Sequence, residues 1–222
     1  MTSRHETSSG SDIQRKPATA TEVTALHAAL RRVSPLSDDD LAALPPPVHL
    51  SLLRGAAFLR AGERATEVGA VVRGALREYF LLEDGTERTK GFNLPGDYAG
   101  SLSDLLLDGP ARTWVVAETS TVVLVTPWPA YRALVEARPA WARFALEIAE
   151  RLYRTKVQRE YELLALDAAT RYGLALERWP DLESTFSQRD IASYVGITPV
   201  HLSRLRAEAG TARPSGRTRR AR

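Results

Sequence analysis

The 222 residues contain no cysteine and a single methionine. Without a thiol the chain has no disulfide framework, no thiolate zinc site, no cysteine-ligated iron–sulfur cluster and no thiol nucleophile. No run approaches the roughly 18 consecutive apolar residues that a membrane-spanning helix needs. The four histidines, His5, His27, His49 and His201, are scattered without ligand spacing, so neither haem nor a metal cofactor is expected. Catalytic signatures are missing as well: no Gly-x-Ser-x-Gly, no Gly-x-Gly-x-x-Gly and no Walker-type phosphate loop. The acids Asp38, Asp39 and Asp40 suit a solvated helix start better than acid–base work. No enzyme is expected. Met1 to Thr21 has no apolar segment, which speaks against a secretory signal and for a disordered leader on a cytoplasmic protein.

What is present is ordinary in bulk and uneven in charge. Hydrophobic residues make up 44%, enough to bury a core, and charged residues 26%. The net charge is +3, but between Arg204 and Arg222 seven arginines stand against Glu208 alone, which leaves the rest of the chain at −3. A mildly acidic body with a basic end suits a polyanion partner at that end.

Gly62, Gly74, Gly85 and Gly96 recur every 11 or 12 residues through a stretch rich in Val, Leu, Phe and Tyr, the spacing of short antiparallel strands joined by tight turns. The strands expected include 70–72, 75–82, 88–93, 114–118 and 121–126. Between the second and third, Glu83-Asp84-Gly85-Thr86 predicts a two-residue hairpin turn with positive backbone angles at Asp-Gly. Residues 48–128 thus read as a β-roll. A helix is expected over 21–32, and Ser37 caps a short one that ends before Pro45-Pro46-Pro47. Residues 139 to 166 read as a long helix carrying two apolar stripes. Leu146, Ala149, Tyr153, Val157, Tyr161 and Leu164 follow a 3.6-residue period, and Phe144, Ile148 and Leu152 form a second face. One stripe docks the helix on its own domain; the second implies a partner, the same helix of another copy.

The sharpest pattern lies between Ser187 and Gly210. Ser187 is an N-cap with Asp190 three residues on, Ile191, Ala192 and Val195 make an apolar face, and Gly196 supplies a left-handed stop. Thr198 is a second N-cap, Pro199 fills the first helical position, and Leu202 and Leu205 continue the face. Two short helices joined by a tight glycine turn make a helix-turn-helix. Its second helix leaves Pro199, Val200, His201, Ser203, Arg204 and Arg206 off the core. Arg204 is placed to read guanine; Thr198, His201 and Ser203 suit phosphate, and Ser187 joins them at the start of the first helix.

A β-roll, a long helix and a C-terminal helix-turn-helix, in that order, resemble the Crp/Fnr family of bacterial transcription regulators over roughly residues 22 to 210. The resemblance rests on Phe58-Leu59-Arg60-Ala61-Gly62-Glu63, Val71-Val72-Arg73-Gly74-Ala75-Leu76-Arg77, Leu94-Pro95-Gly96-Asp97-Tyr98-Ala99-Gly100 and Ile191-Ala192-Ser193-Tyr194-Val195-Gly196-Ile197-Thr198-Pro199. It implies an α+β fold: a disordered leader (1–21), an antiparallel cyclic-nucleotide-binding-like β-roll (22–138), a dimerisation helix (139–166), a helix-turn-helix domain (167–212) capped at Asp167, and a basic tail (213–222). The implied function is transcription regulation by a homodimer on double-stranded DNA.

Two departures bear on the effector. Cyclic-AMP-binding members of the family carry Gly-Glu-Leu followed by Arg-Ser/Thr-Ala, the Glu holding ribose and the Arg the cyclic phosphate. Here the matching pocket segments are Gly100-Ser101-Leu102 and Ala111-Arg112-Thr113-Trp114; the Glu is absent and Arg112 falls one place off register, which turns a strand side chain to the opposite face. Cyclic AMP is therefore not expected to bind, and the effector is unidentified. A cyclic-nucleotide-responsive factor and a protein-binding adaptor on the same fold stay open as alternatives. Pro199 and Val200 also stand where many members carry polar base-reading residues.

Overall fold

The structure is a computed structural model describing residues 12–211. Most of the expected leader and the whole of the basic tail 213–222 lie outside the described residues. The chain divides into two compact units, one ending at Glu160 and one beginning at Tyr161.

The first unit is built on two antiparallel sheets. One contains, in spatial order, β1 (Ile13–Pro17), β2 (Val48–Leu52), β9 (Thr121–Pro127), β4 (Glu67–Arg73) and β7 (Tyr98–Ala99); the other contains β3 (Ala57–Leu59), β8 (Thr113–Ala117), β5 (Leu76–Leu81) and β6 (Glu87–Asn93). The core between them gathers Leu50, Leu52, Val71, Leu76, Val115, Val123 and Val125. β9 reads Val122-Val123-Leu124-Val125 without polar alternation because both its faces are covered. Val123 and Val125 enter the inter-sheet core, whereas Leu124 packs into a second cluster with Leu26 and Leu30 of α1 (Ala20–Val33), Leu41 of α2 (Asp38–Ala42), Leu134 of α4 (Trp128–Ala137), and Trp141 and Phe144 of α5 (Pro139–Ala165). Each such side chain contributes about 1.5–3 kcal/mol of burial. The Trp141 indole N–H also donates to the Asp40 carbonyl at 3.0 Å, fixing the start of α5 to α2.

Three expectations need correction. The leader does not extend to residue 21: Ile13 to Pro17 pair with Leu52 to Val48, and Arg15 forks onto both carboxylate oxygens of Glu67 at 2.7 Å. Thr19 and Glu22 then close a reciprocal capping box on α1. A mostly exposed strand carries no alternation, so backbone pairing and one ion pair hold β1 without a hydrophobic signature. The hairpin turn is longer than two residues. Only Gly85 has positive φ (+78°); Leu82 and Thr86 close the loop, and Asp84 accepts the Thr86 N–H on its carboxylate at 2.8 Å instead of turning left-handed itself. On α5, the shorter stripe is the one that docks. Phe144 is buried and Ile148 packs on the same cluster, while the longer stripe is open, with Tyr153 69% and Leu164 80% exposed.

The second unit comprises the end of α5, α6 (Ala168–Arg178), α7 (Leu182–Thr185), α8 (Gln188–Val195) and α9 (Pro199–Thr211). Leu182, Phe186, Ile191, Ala192, Val195 and Leu202 are buried, so every residue assigned from sequence to the apolar face of α8 is inside.

Candidate functional sites

The helix pair α8–α9 is set by its caps. Ser187 accepts the Asp190 N–H at 3.2 Å and donates its hydroxyl to the Asp190 carboxylate at 2.5 Å. Gly196 ends α8 at φ +81°, a left-handed conformation that disfavours any side chain, and Thr198 accepts the His201 N–H at 3.2 Å to open α9. Small Ala192 is wholly buried at the approach of the two helices. This leaves Thr198, Pro199, Val200, His201, Ser203, Arg204 and Arg206 exposed together on the first turns of α9, with Ser187 exposed at the start of α8. Arg204 has no ion-pair partner among the described residues. Arg206 does: its Nε lies 2.7 Å from Glu183 Oε1, and Glu183 also accepts the Tyr172 hydroxyl. Burial first, and then the hydrogen bond to Glu183, push Tyr172 up to about 12.

Behind this surface, polar groups are tied down. Glu162 is 1% exposed and accepts from Arg178 at 2.7 Å, and the same guanidinium donates to the Tyr194 hydroxyl at 2.6 Å. Arg171 donates Nε to the Val195 carbonyl at 2.8 Å and Nη1 to the Leu166 carbonyl at 2.5 Å, satisfying acceptors at the ends of α8 and α5 that no helix N–H reaches. Asp167 caps α6 through the Thr170 N–H at 2.8 Å, and that bond holds its carboxyl below the usual range.

The second site is the interior of the β-roll beside α3 (Leu102–Leu107). Gly100 has φ +119°, Ser101 is buried and donates to the Thr113 hydroxyl at 3.3 Å, and Leu102 opens the helix. Thr113 is buried while Arg112 is exposed, so the pocket residues expected from sequence separate: Ser101 and Thr113 meet inside, and the Arg112 guanidinium lies outside. Of Arg112 only the backbone N–H turns inward, to Asp104 Oδ1 at 3.1 Å. Asp104 was missed by sequence reasoning, because one acid in the run Leu102-Ser103-Asp104-Leu105 shows no sign that it faces Thr113 from another segment. Lys90 was missed too; it is the extra residue of a bulge in β6, and its ammonium meets Glu78 at 2.9 Å. His49, by contrast, is an interior histidine with both ring nitrogens engaged, by Glu22 at 2.6 Å and Ser51 at 2.9 Å.

Comparison with known proteins agrees with this architecture. A family profile described as the cyclic nucleotide-binding domain matches residues 49–138. The chain is 23% identical over 159 residues to the anaerobic regulatory protein of Aggregatibacter actinomycetemcomitans, covering 67% of this chain and 61% of that one, so the match spans less than two thirds of the relative. Among solved structures, FixK2 from Bradyrhizobium japonicum superposes with a TM-score of 0.67 at 25% identity, covering 75% of this chain and 86% of that one. A structure described as a transcriptional regulator of the Crp/Fnr family from Eubacterium rectale superposes with a TM-score of 0.60 at 16% identity, covering 79% and 84%. A cyclic nucleotide-binding domain over 49–138 with the helix pair α8–α9 behind it is thus the plan of this chain, and in that plan it is similar to regulators of the Crp/Fnr type.

Proposed function

We propose that the chain is a homodimeric, cytoplasmic transcription regulator that binds double-stranded DNA through α9, without catalysis and without gating by cyclic AMP. The observation that carries the reading is α9 itself: Leu202 anchors it in a fully buried position, while Thr198, His201, Ser203 and Arg204 remain exposed over its first two turns. A helix held this way presents its N-terminal residues to a major groove, Arg204 to guanine and the hydroxyls to phosphate. The names of its relatives, an anaerobic regulatory protein and a Crp/Fnr transcriptional regulator, support the same role.

The open stripe on α5 supports the dimer. Leu146, Tyr153, Val157, Tyr161 and Leu164 are all exposed, an apolar row that a second copy of the helix would cover. No described helix is long and apolar enough to cross a membrane, so this row is not part of a spanning segment.

Cyclic AMP is disfavoured by the same interior that resembles its site. Ser101 donates to Thr113, and the Arg112 guanidinium faces away, so a cyclic phosphate would meet no arginine and only Lys90, which is already paired with Glu78.

Gel shifts on genomic fragments across a salt series test the function: a regulator binds selected fragments with a steep salt dependence, and an adaptor binds none. Sedimentation adds the assembly, with a dimer expected at micromolar concentration for the wild type and a monomer or aggregate for Tyr153→Asp. Calorimetry with cyclic AMP is expected to show no binding below millimolar.

A further inference from the structure

We propose that the interior of the β-roll takes a small organic cation bearing N–H donors, an amine or amidine, in place of an anionic nucleotide. The proposal rests on reading this domain as the effector site, and it names the chemistry that site selects.

The ladder of β5 and β8 decides which groups face inward. Leu76, Glu78 and Phe80 stand opposite Ala117, Val115 and Thr113, and Leu76, Val115 and Ala117 belong to the inter-sheet core, so Glu78 and Thr113 share the inner face. Asn93 stands opposite Leu76 in the β5–β6 ladder and joins them. Around this face several donors are already engaged. The Ser101 hydroxyl goes to Thr113, the Arg112 N–H goes to Asp104 Oδ1, and the Lys90 ammonium goes to Glu78.

Two acceptors are left without a donor, Asp104 Oδ2 and Asn93 Oδ1, and both atoms are buried. The amide of Asn93 cannot be turned to relieve this, because its Nδ2 already donates to the Tyr98 carbonyl at 2.9 Å. Asp104 is 4% exposed. Burial works against its charge, but the nearby Ser101 and Thr113 hydroxyls, the Arg112 N–H on Oδ1 and the Lys90 charge hold its carboxyl below the usual range. It stays ionised. Buried polar atoms are nearly always paired in folded proteins, so an ionised oxygen without a donor asks for a guest that brings one.

Charge selects the same guest. The inner face holds Glu78, Asp104 and Lys90, a net −1, and the Arg112 side chain is outside. An anion would add to a net negative charge in a low-dielectric interior, whereas an ammonium or amidinium neutralises it and supplies two or three N–H groups. A metal ion is a poorer match, since no group of three or more His, Asp or Glu among the described residues is arranged to hold one.

Thermal unfolding of the full chain at constant ionic strength tests this with three probes. Agmatine carries both an ammonium and a guanidinium, tetramethylammonium carries charge without donors, and cyclic AMP carries the opposite charge. Agmatine is expected to raise Tm in a saturable way, and the other two are expected to leave it unchanged. Asp104→Asn should raise the agmatine midpoint at least tenfold, and Lys90→Met, which makes the interior more negative, should lower it. An absent or unsaturable agmatine response, an equal response to tetramethylammonium, or an unchanged midpoint in both variants overturns the proposal. Gel shifts without any probe judge the DNA-binding reading separately: a protein that binds agmatine but no DNA keeps this inference and loses that function.

Discussion

In the unit that begins at Tyr161, Glu162 is as deeply buried as a leucine yet accepts from Arg178, which also reaches Tyr194, and the buried Asp190 is met by Ser187. In the β-roll, Asp104 is buried to a similar depth and keeps one oxygen without a donor, as does Asn93. Among the described residues no side-chain atom of this kind is left unpaired in the second unit. A completed polar network makes one arrangement the best one, which is what a scaffold for α9 requires. An incomplete one is tolerated where a further molecule finishes it. The difference separates a surface that is prepared in the folded chain from an interior that is prepared only in part.

The largest effect should come from breaking the completed network. Arg178→Ala leaves Glu162 buried without its cation and should cost about 3–5 kcal/mol in urea unfolding; a loss below about 1 kcal/mol would erase the contrast between the units. Next is Arg204, the exposed cation on α9 that has no ion-pair partner among the described residues. Arg204→Ala should leave stability within about 0.5 kcal/mol yet weaken binding to a selected DNA site by about 1–3 kcal/mol. An equal loss on random DNA would assign Arg204 to phosphate and leave base reading to its neighbours.

Asp104→Asn is the counterpart in the β-roll. Because the folded protein holds this carboxyl below its usual range, taking its charge off should destabilise the ligand-free protein by about 1 kcal/mol, whereas a rise in Tm would show that the ionised oxygen is a net cost to the fold. The smallest effect concerns Arg206. Its pair with Glu183 is more than a third exposed on both sides and contributes less than about 1 kcal/mol, so Glu183→Gln should barely change stability. The freed guanidinium should instead steepen the log–log salt dependence of DNA binding by about 0.9 for each phosphate gained. An unchanged slope would keep Arg206 off the DNA.

The same two regions differ in what a sequence reader can see. The helix-turn-helix is written in neighbours: Ser187 and Asp190 are three apart, Gly196 follows the last apolar residue of α8, and Thr198 and Pro199 stand side by side. Local spacing is enough to place all of them. The hairpin near Gly85 was legible for the same reason, although Asp84 chose a side-chain acceptor over a left-handed backbone. The β-roll interior is written across the chain. Asp104 meets Arg112 and Thr113 from the far side of a turn, Lys90 faces Glu78 only because a bulge rotates it, and β1 is held by pairing with residues more than thirty positions away. Nothing in the composition of those segments announces the contacts. The two stripes of α5 fall between these cases: the period was readable, and which face would dock was settled only by where Trp141 and Phe144 found a core.

The bulge in β6 gives the interior a setting that substitutions alone do not reach. Lys90 is present on the inner face as a surplus residue, with Glu78 paired to Gly91 and Tyr79 paired to Thr89 on either side of it. Deleting that one residue would restore an unbroken ladder, leave the register of every other strand pair as it is, and strip the interior of its cation in a single step. Insertion or loss of one codon at this position is thus a route by which descendants of this chain can change the charge their β-roll prefers while the barrel around it stays the same.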